Sequence, residues 1–128
     1  VWDITGGSLS FLIPNTGNQN NQKELWLQVT FFGPAPITPF YSVATSTGAF
    51  NLVSSSITAL PQGWTHELTK WTFPNCPPFE RITIGPGLAG AIMLVDQVVV
   101  DTQCIVPAPG AATLLGFGGL LAARRRRR

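Results

Sequence analysis

Charged residues are scarce in this chain, at 11% of 128 residues, and the side chains that usually carry chemistry are scarcer still. There is one histidine, His66, and the acidic residues are scattered along the sequence. A metal centre usually needs more ligands of this kind, so we expect none. No Gly-x-Ser-x-Gly element occurs, and we expect no enzyme, although spacing alone does not exclude a carboxylate pair assembled from different strands.

Basic residues are rare outside the C-terminus. The formal net charge is +2, yet the last five residues are all arginine and contribute +5 by themselves. The rest of the chain has three basic and six acidic side chains and therefore carries −3. Nothing in this mildly acidic body interleaves basic and aromatic residues as a nucleic-acid groove requires, so we expect no nucleic-acid partner.

Before residue 110, no segment repeats apolar residues at the 3.6-residue spacing of a helix. Apolar residues recur at every second position instead. The segment ELWLQVTFF alternates in the manner of a strand with one buried face. The residues on its predicted buried face are Leu25, Leu27, Val29 and Phe31. Those on the opposite face are Glu24, Trp26, Gln28 and Thr30.

Other segments of similar character are separated by turn clusters, and the chain has 13 glycines and 11 prolines. The predicted strands are SLSFLIP, GWTHELTKWTF, FERITIG and AIMLVDQVVVDTQC, and in the last we expect Val98, Val99 and Val100 to be buried on both faces. We predict an all-β, antiparallel sandwich of jelly-roll type over residues 1–105. Because the chain begins at Val1 rather than Met, we also expect that an N-terminal part has been lost or processed.

The C-terminal residues VPAPGAATLLGFGGLLAARRRRR combine a Pro motif, an uncharged run and an arginine cluster. As a helix, the run 111–123 would cover about 20 Å, which is short of the roughly 30 Å of a bilayer core. The arginines would stay on the cytoplasmic side, so the body would be exported. This geometry fits a short hydrophobic helix that holds the chain in the membrane before it is cut. The alternative is a lasting tail anchor.

This tail resembles the sorting signal of bacterial PEP-CTERM proteins. The motif, apolar stretch and arginine cluster occur in the family's order over residues 106–128, and the segment FLIPNTGNQNNQKELWLQVTF is similar to the bodies of some members. In this chain Ala108 replaces the usual Glu, a PAP variant of the motif. The matching motif residues are Val106, Pro107, Ala108 and Pro109. The cluster consists of Arg124, Arg125, Arg126, Arg127 and Arg128.

The resemblance implies recognition by exosortase, a membrane protease, and delivery of the protein to the cell surface or extracellular matrix. We therefore expect a transient stay in the inner membrane and a structural or adhesive role in exopolysaccharide or biofilm. Since an exported domain meets an oxidising compartment, we also expect a disulfide between Cys76 and Cys104.

The competing hypothesis is a carbohydrate-binding module in which exposed aromatic rings stack on sugars. Trp26 is the best candidate because it lies on a polar strand face; Trp64, Trp71 and Tyr41 could join it, or the tryptophans could fill the core. The segment MLVDQVVVDT also resembles the last strand of galactose-binding-like jelly rolls. Asp96 within it could be hydrogen-bonded in the core or help to hold a structural calcium, and we expect no other cofactor.

Overall fold

The structure is a computed structural model that describes residues 1–17, 21–46 and 51–106. A short 3₁₀ helix, Pro61–Gly63, precedes the sixth strand. The strands are β1 (Trp2–Asp3), β2 (Leu9–Pro14), β3 (Gln22–Phe32), β4 (Phe40–Thr45), β5 (Asn51–Ala59), β6 (Trp64–Phe73), β7 (Phe79–Gly85) and β8 (Leu94–Ile105).

These strands form two antiparallel sheets. The larger sheet has the order β1-β8-β3-β6-β5, and the smaller has the order β2-β7-β4. The predicted all-β class and the antiparallel two-sheet arrangement are confirmed for the described residues. The other four segments expected to be strands correspond to β2, β6, β7 and β8, although β8 begins at Leu94 rather than Ala91.

The core lies between the sheets and is built by the period-two alternation. On β3, the strand that pairs with both β6 and β8, Leu25, Leu27 and Val29 are fully buried. Ile82 and Ile84 of β7 face them from the smaller sheet and are equally buried. Full burial of each such aliphatic side chain stabilises the fold by about 1.5–3 kcal/mol, so this alternation fixes which face of each strand points inward.

An irregularity in β8 changes one expectation about its valines. The pairing of β3 with β8 shifts between Thr30 and Phe31, whose partners are Gln97 and Val95, so that Asp96 is left over as a bulge. Beyond the bulge, Val98 and Val100 pack against the core, but Val99 is 39% exposed. We expected β8 to be covered on both faces at this point, and for Val99 this is wrong. Nothing among the described residues covers the outer face of β8 there.

Candidate functional site

The outer side of the larger sheet carries a polar surface centred on Trp26. We call Glu24, Trp26, Lys70 and Gln103 the Trp26 face. Lys70 Nζ lies 2.9 Å from Glu24 Oε1 and 4.9 Å from the centre of the Trp26 ring. Gln103 Nε2 donates to Glu24 Oε2 at 3.3 Å. The hydrogen bond from Lys70 lowers the pKa of the Glu24 carboxyl, so Glu24 is ionised throughout the neutral range.

The Trp26 face offers the groups that sugar recognition uses. The half-buried indole of Trp26 provides an aromatic ring, and the charged and amide groups beside it can exchange hydrogen bonds with hydroxyls. Lys70 already lies over the ring in a cation–π contact. A sugar that stacks on that side of the ring must first displace the Lys70 side chain, which is a modest cost at a partly exposed position.

The structure does not bring the four predicted aromatic residues together. Trp64 is on the same sheet face as Trp26, but it pairs with Phe32, six residues further along β3 and so roughly 20 Å away. Its ring packs on Phe32 with centroids 5.9 Å apart. Trp71 is on the opposite face of the sheet, only 7% exposed, and its indole N–H donates to Thr69 Oγ1.

Tyr41, the fourth candidate, points into the molecule and meets a buried carboxylate. Its hydroxyl donates to Glu67 Oε2 at 2.8 Å, and Ser55 Oγ donates to Glu67 Oε1 at 2.8 Å. Glu67 is 6% exposed, and these two donors compensate its burial. Burial, followed by the hydrogen bond and charge of Glu67, raises the pKa of Tyr41 far above its ordinary range.

Asp96 and His66 belong to no cluster of metal-ligating side chains within the described part of the chain. Asp96 is exposed at the bulge, so its carboxylate lies outside the core. His66 Nδ1 is 3.1 Å from Thr30 Oγ1 on the neighbouring strand. Residues 1–17, 21–46 and 51–106 contain no cluster of three His, Cys, Asp or Glu side chains that could hold a metal ion.

The predicted disulfide is present and stands beside the expected sorting motif. Cys76 and Cys104 are bonded, with Cα atoms 5.8 Å apart. The bond connects the end of β8 to the segment between β6 and β7, two residues before Val106. Val106 is exposed, while the rest of the motif, the apolar run and the five arginines lie outside the described residues. No helix in the described part is long and apolar enough to cross a membrane.

A cavity of about 310 Å³ opens at the other end of the sandwich. Its walls come from the end of β3, the segment that follows it, and the β5–β6 hairpin. Phe31, Ile37 and Ile57 make most of this lining apolar, and Thr65 is one of the few side chains that bring a hydroxyl. The shape suits a small apolar group, but it lacks the convergent polar groups that orient a ligand.

Sequence reasoning missed a buried polar cluster near the disulfide. Lys23 is 1% exposed and Glu80 is fully buried, and Lys23 Nζ lies 3.2 Å from Glu80 Oε1. Asn15 contacts both: Lys23 Nζ donates to Asn15 Oδ1 at 2.7 Å, and Asn15 Nδ2 donates to Glu80 Oε2. The period of two could have predicted this burial. Lys23 lies two residues before Leu25 and Glu80 two residues before Ile82, so both lie on the inner faces of their strands.

Comparison with known proteins adds no relative. The chain matches no protein-family model, no curated protein and no solved structure.

Proposed function

We propose that this chain is an exported bacterial surface protein that exosortase recognises through its PEP-CTERM-like tail. In this proposal residues 106–128 hold the chain briefly in the inner membrane, with the run 111–123 as a short helix. The body then has a structural or adhesive role in exopolysaccharide or biofilm. The proposal rests on the tail resemblance and on the charge contrast between the −3 body and the +5 cluster.

The structural observation that supports the proposal is the Cys76–Cys104 disulfide at the junction with the tail. Structural disulfides persist in oxidising compartments and are rare in the cytosol. This one links the last strand to the body immediately before the motif. A pulling force applied at the C-terminus would therefore act on the disulfide before it could detach β8 from the sheet. That arrangement suits a domain handled or attached by its C-terminal end.

The test of this proposal is the fate of the tail in the cells that make the protein. A shortened, disulfide-bonded chain outside the inner membrane supports sorting and cleavage. A full-length chain that stays in the membrane fraction contradicts it and leaves a lasting anchor as the better account.

We further propose that the fold derives from a jelly roll. An eight-stranded jelly roll places β1, β8, β3 and β6 in one sheet and β2, β7, β4 and β5 in the other. The observed orders agree with this plan except for β5, which pairs with β6 instead of β4. The β5–β6 hairpin has only a short connection through Pro61–Gly63, and this local pairing favours the observed position of β5.

The second candidate function is carbohydrate binding at the Trp26 face, favoured by a partly exposed indole among polar partners. We expect Trp26→Ala to weaken retention of the protein on purified exopolysaccharide from the producing cells by roughly two- to tenfold, because an aromatic stacking contact contributes about 0.5–1.5 kcal/mol.

The matched control for that experiment is Trp64→Ala, which removes the same residue type from the same sheet face about 20 Å away. Retention of this variant should equal that of the unaltered chain. Equal retention of both variants and the unaltered chain would contradict sugar binding at the Trp26 face.

A further inference from the structure

We propose that Lys23 and Asn15 react to form an intramolecular isopeptide bond, with Glu80 as the group that carries the proton. The side chains of these three residues bring a nucleophilic amine, an amide carbonyl and a carboxylate into mutual contact inside the sandwich. The inference is independent of the proposed sorting and sugar binding, since it concerns only the chemistry of the body.

The geometry places the reacting groups next to each other. Lys23 Nζ is 2.7 Å from Asn15 Oδ1, and the carbon that it would attack, Asn15 Cγ, is bonded to that oxygen. Asn15 is held from its other side by its hydrogen bond to Glu80 and by its backbone N–H, which donates to Pro78 O at 2.8 Å. Lys23 is fixed within β3, paired to Phe73 and Cys104.

Burial makes the charged form of this cluster unfavourable relative to a neutral product. Lys23 and Glu80 are 1% and 0% exposed, and a buried ion pair is costly because desolvation offsets much of its attraction. Glu80 Oε1 also makes no hydrogen bond within the described residues, although Lys23 Nζ is 3.2 Å away. Conversion of the pair into neutral groups would remove both buried charges.

The step balances without an outside reagent. A proton passes from the Lys23 ammonium to the Glu80 carboxylate, and the free amine attacks Cγ of Asn15. The tetrahedral adduct transfers one proton from Nζ to Nδ2, the Cγ–Nδ2 bond breaks, and ammonia leaves. The products are a secondary amide between Lys23 and Asn15, ammonia, and a protonated Glu80 that can donate a hydrogen bond to the new carbonyl.

The bond would link the two sheets covalently at the end that carries the tail. Asn15 directly follows β2 of the smaller sheet, whereas Lys23 belongs to β3 of the larger one. The disulfide partner Cys104 lies opposite Lys23 on β8. Two different covalent closures would therefore stand within one strand spacing of each other.

The experiment is mass spectrometry of the full chain after denaturation, reduction and alkylation. We expect the intact mass to be about 17 Da, the mass of one ammonia, below the mass calculated from the sequence with both cysteines alkylated, which we call the sequence mass. Trypsin cannot cut after a lysine whose amine is acylated, so we expect a peptide 1–70 that is lighter by the same amount. A chain at its sequence mass that releases peptides 1–23 and 24–70 would overturn the proposal.

Three variants separate this bond from other losses of ammonia. Lys23→Arg keeps the buried positive charge but supplies no amine nucleophile, Asn15→Ala removes the carbonyl, and Glu80→Gln keeps the size but cannot accept the proton. All three should have their sequence masses. If Lys23→Arg were still lighter by about 17 Da, cyclisation of an Asn side chain onto its own backbone would be the cause, and the isopeptide would be refuted.

Discussion

Single buried polar side chains distinguish this sandwich from one with a purely apolar core. Glu67 and Glu80 both lie on inner strand faces, yet their surroundings differ. Glu67 is compensated by the hydroxyls of Tyr41 and Ser55, whereas Glu80 meets a lysine and an amide. Neutral hydroxyl donors satisfy the hydrogen-bonding capacity of a buried carboxylate. An amine beside an amide carbonyl instead allows the carboxylate to accept a proton while the amine attacks the carbonyl carbon.

Tyr41 gives a residue-scale prediction because it is the only tyrosine in the chain. In the folded protein, burial and Glu67 raise the pKa of its hydroxyl, so the phenolate absorbance should appear only when the protein unfolds, well above pH 10. The unfolded chain loses this proton near pH 10 while the folded chain keeps it. The stabilising effect is therefore complete below about pH 10 and is lost as the pH rises further.

The measurement is an alkaline titration followed by near-ultraviolet absorbance, with circular dichroism recorded in parallel. Tyr41→Phe removes the phenolate signal and serves as the baseline. This variant should also lower the free energy of unfolding at neutral pH by about 1–2 kcal/mol, since Glu67 loses a donor. A folded chain whose phenolate appears near pH 10 would contradict the buried Tyr41–Glu67 contact.

Alternation of residue type could predict which residues face inward, but not what the charged ones do there. Leu25 and its apolar successors on β3 were correctly assigned to the core from the sequence. Lys23 occupies the same face, yet its role depends on Asn15 and Glu80, which are distant in sequence or on the other sheet. No local pattern encodes such a contact, because sheet packing alone brings the three together.

At the scale of strands, β3 and β5 differ in how far the sequence could predict them. β3 pairs on both sides and shows a strict alternation of buried and partly exposed residues. All nine residues of β5 are exposed, and the middle of its sequence, NLVSSSITA, is a run of three serines rather than an alternation of apolar and polar residues. An edge strand gains little from burial, so its sequence carries a weak pattern and its choice of sheet is set by the hairpin to β6.

The disulfide that links β8 to the segment before β7 allows a prediction about stability. Cys104→Ser should lower the free energy of unfolding by about 3–4 kcal/mol on the chain-entropy account of a disulfide, whose cysteines here are 28 residues apart. Because Cys104 is exposed, this substitution breaks the bond without a cavity in the core.

Urea denaturation measures the effect of Cys104→Ser, and the unaltered chain under reducing conditions is the matched control. Both should show the same reduced stability. A loss smaller than about 1 kcal/mol in both would mean that the bond does not constrain the unfolded chain as its loop length predicts.

The whole molecule combines a weakly acidic body with a strongly basic C-terminus. The sequence alone could predict the all-β class from local alternation, and the disulfide from the expected export of a chain with two cysteines. It could not predict that the aromatic candidates would separate, with Trp26 outside and Trp71 inside, because that depends on strand register. The tail remains the part of the chain whose role rests on resemblance.

Exosortase sorting is tested most directly by the intact mass, without reduction, of the protein recovered from fractionated cells that produce it. If the tail is cut, the chain lies outside the inner membrane and has lost the apolar run and all five arginines. Its mass should also be about two hydrogens below that of the same chain after reduction, as a disulfide requires. A full-length chain in the membrane fraction would contradict exosortase sorting.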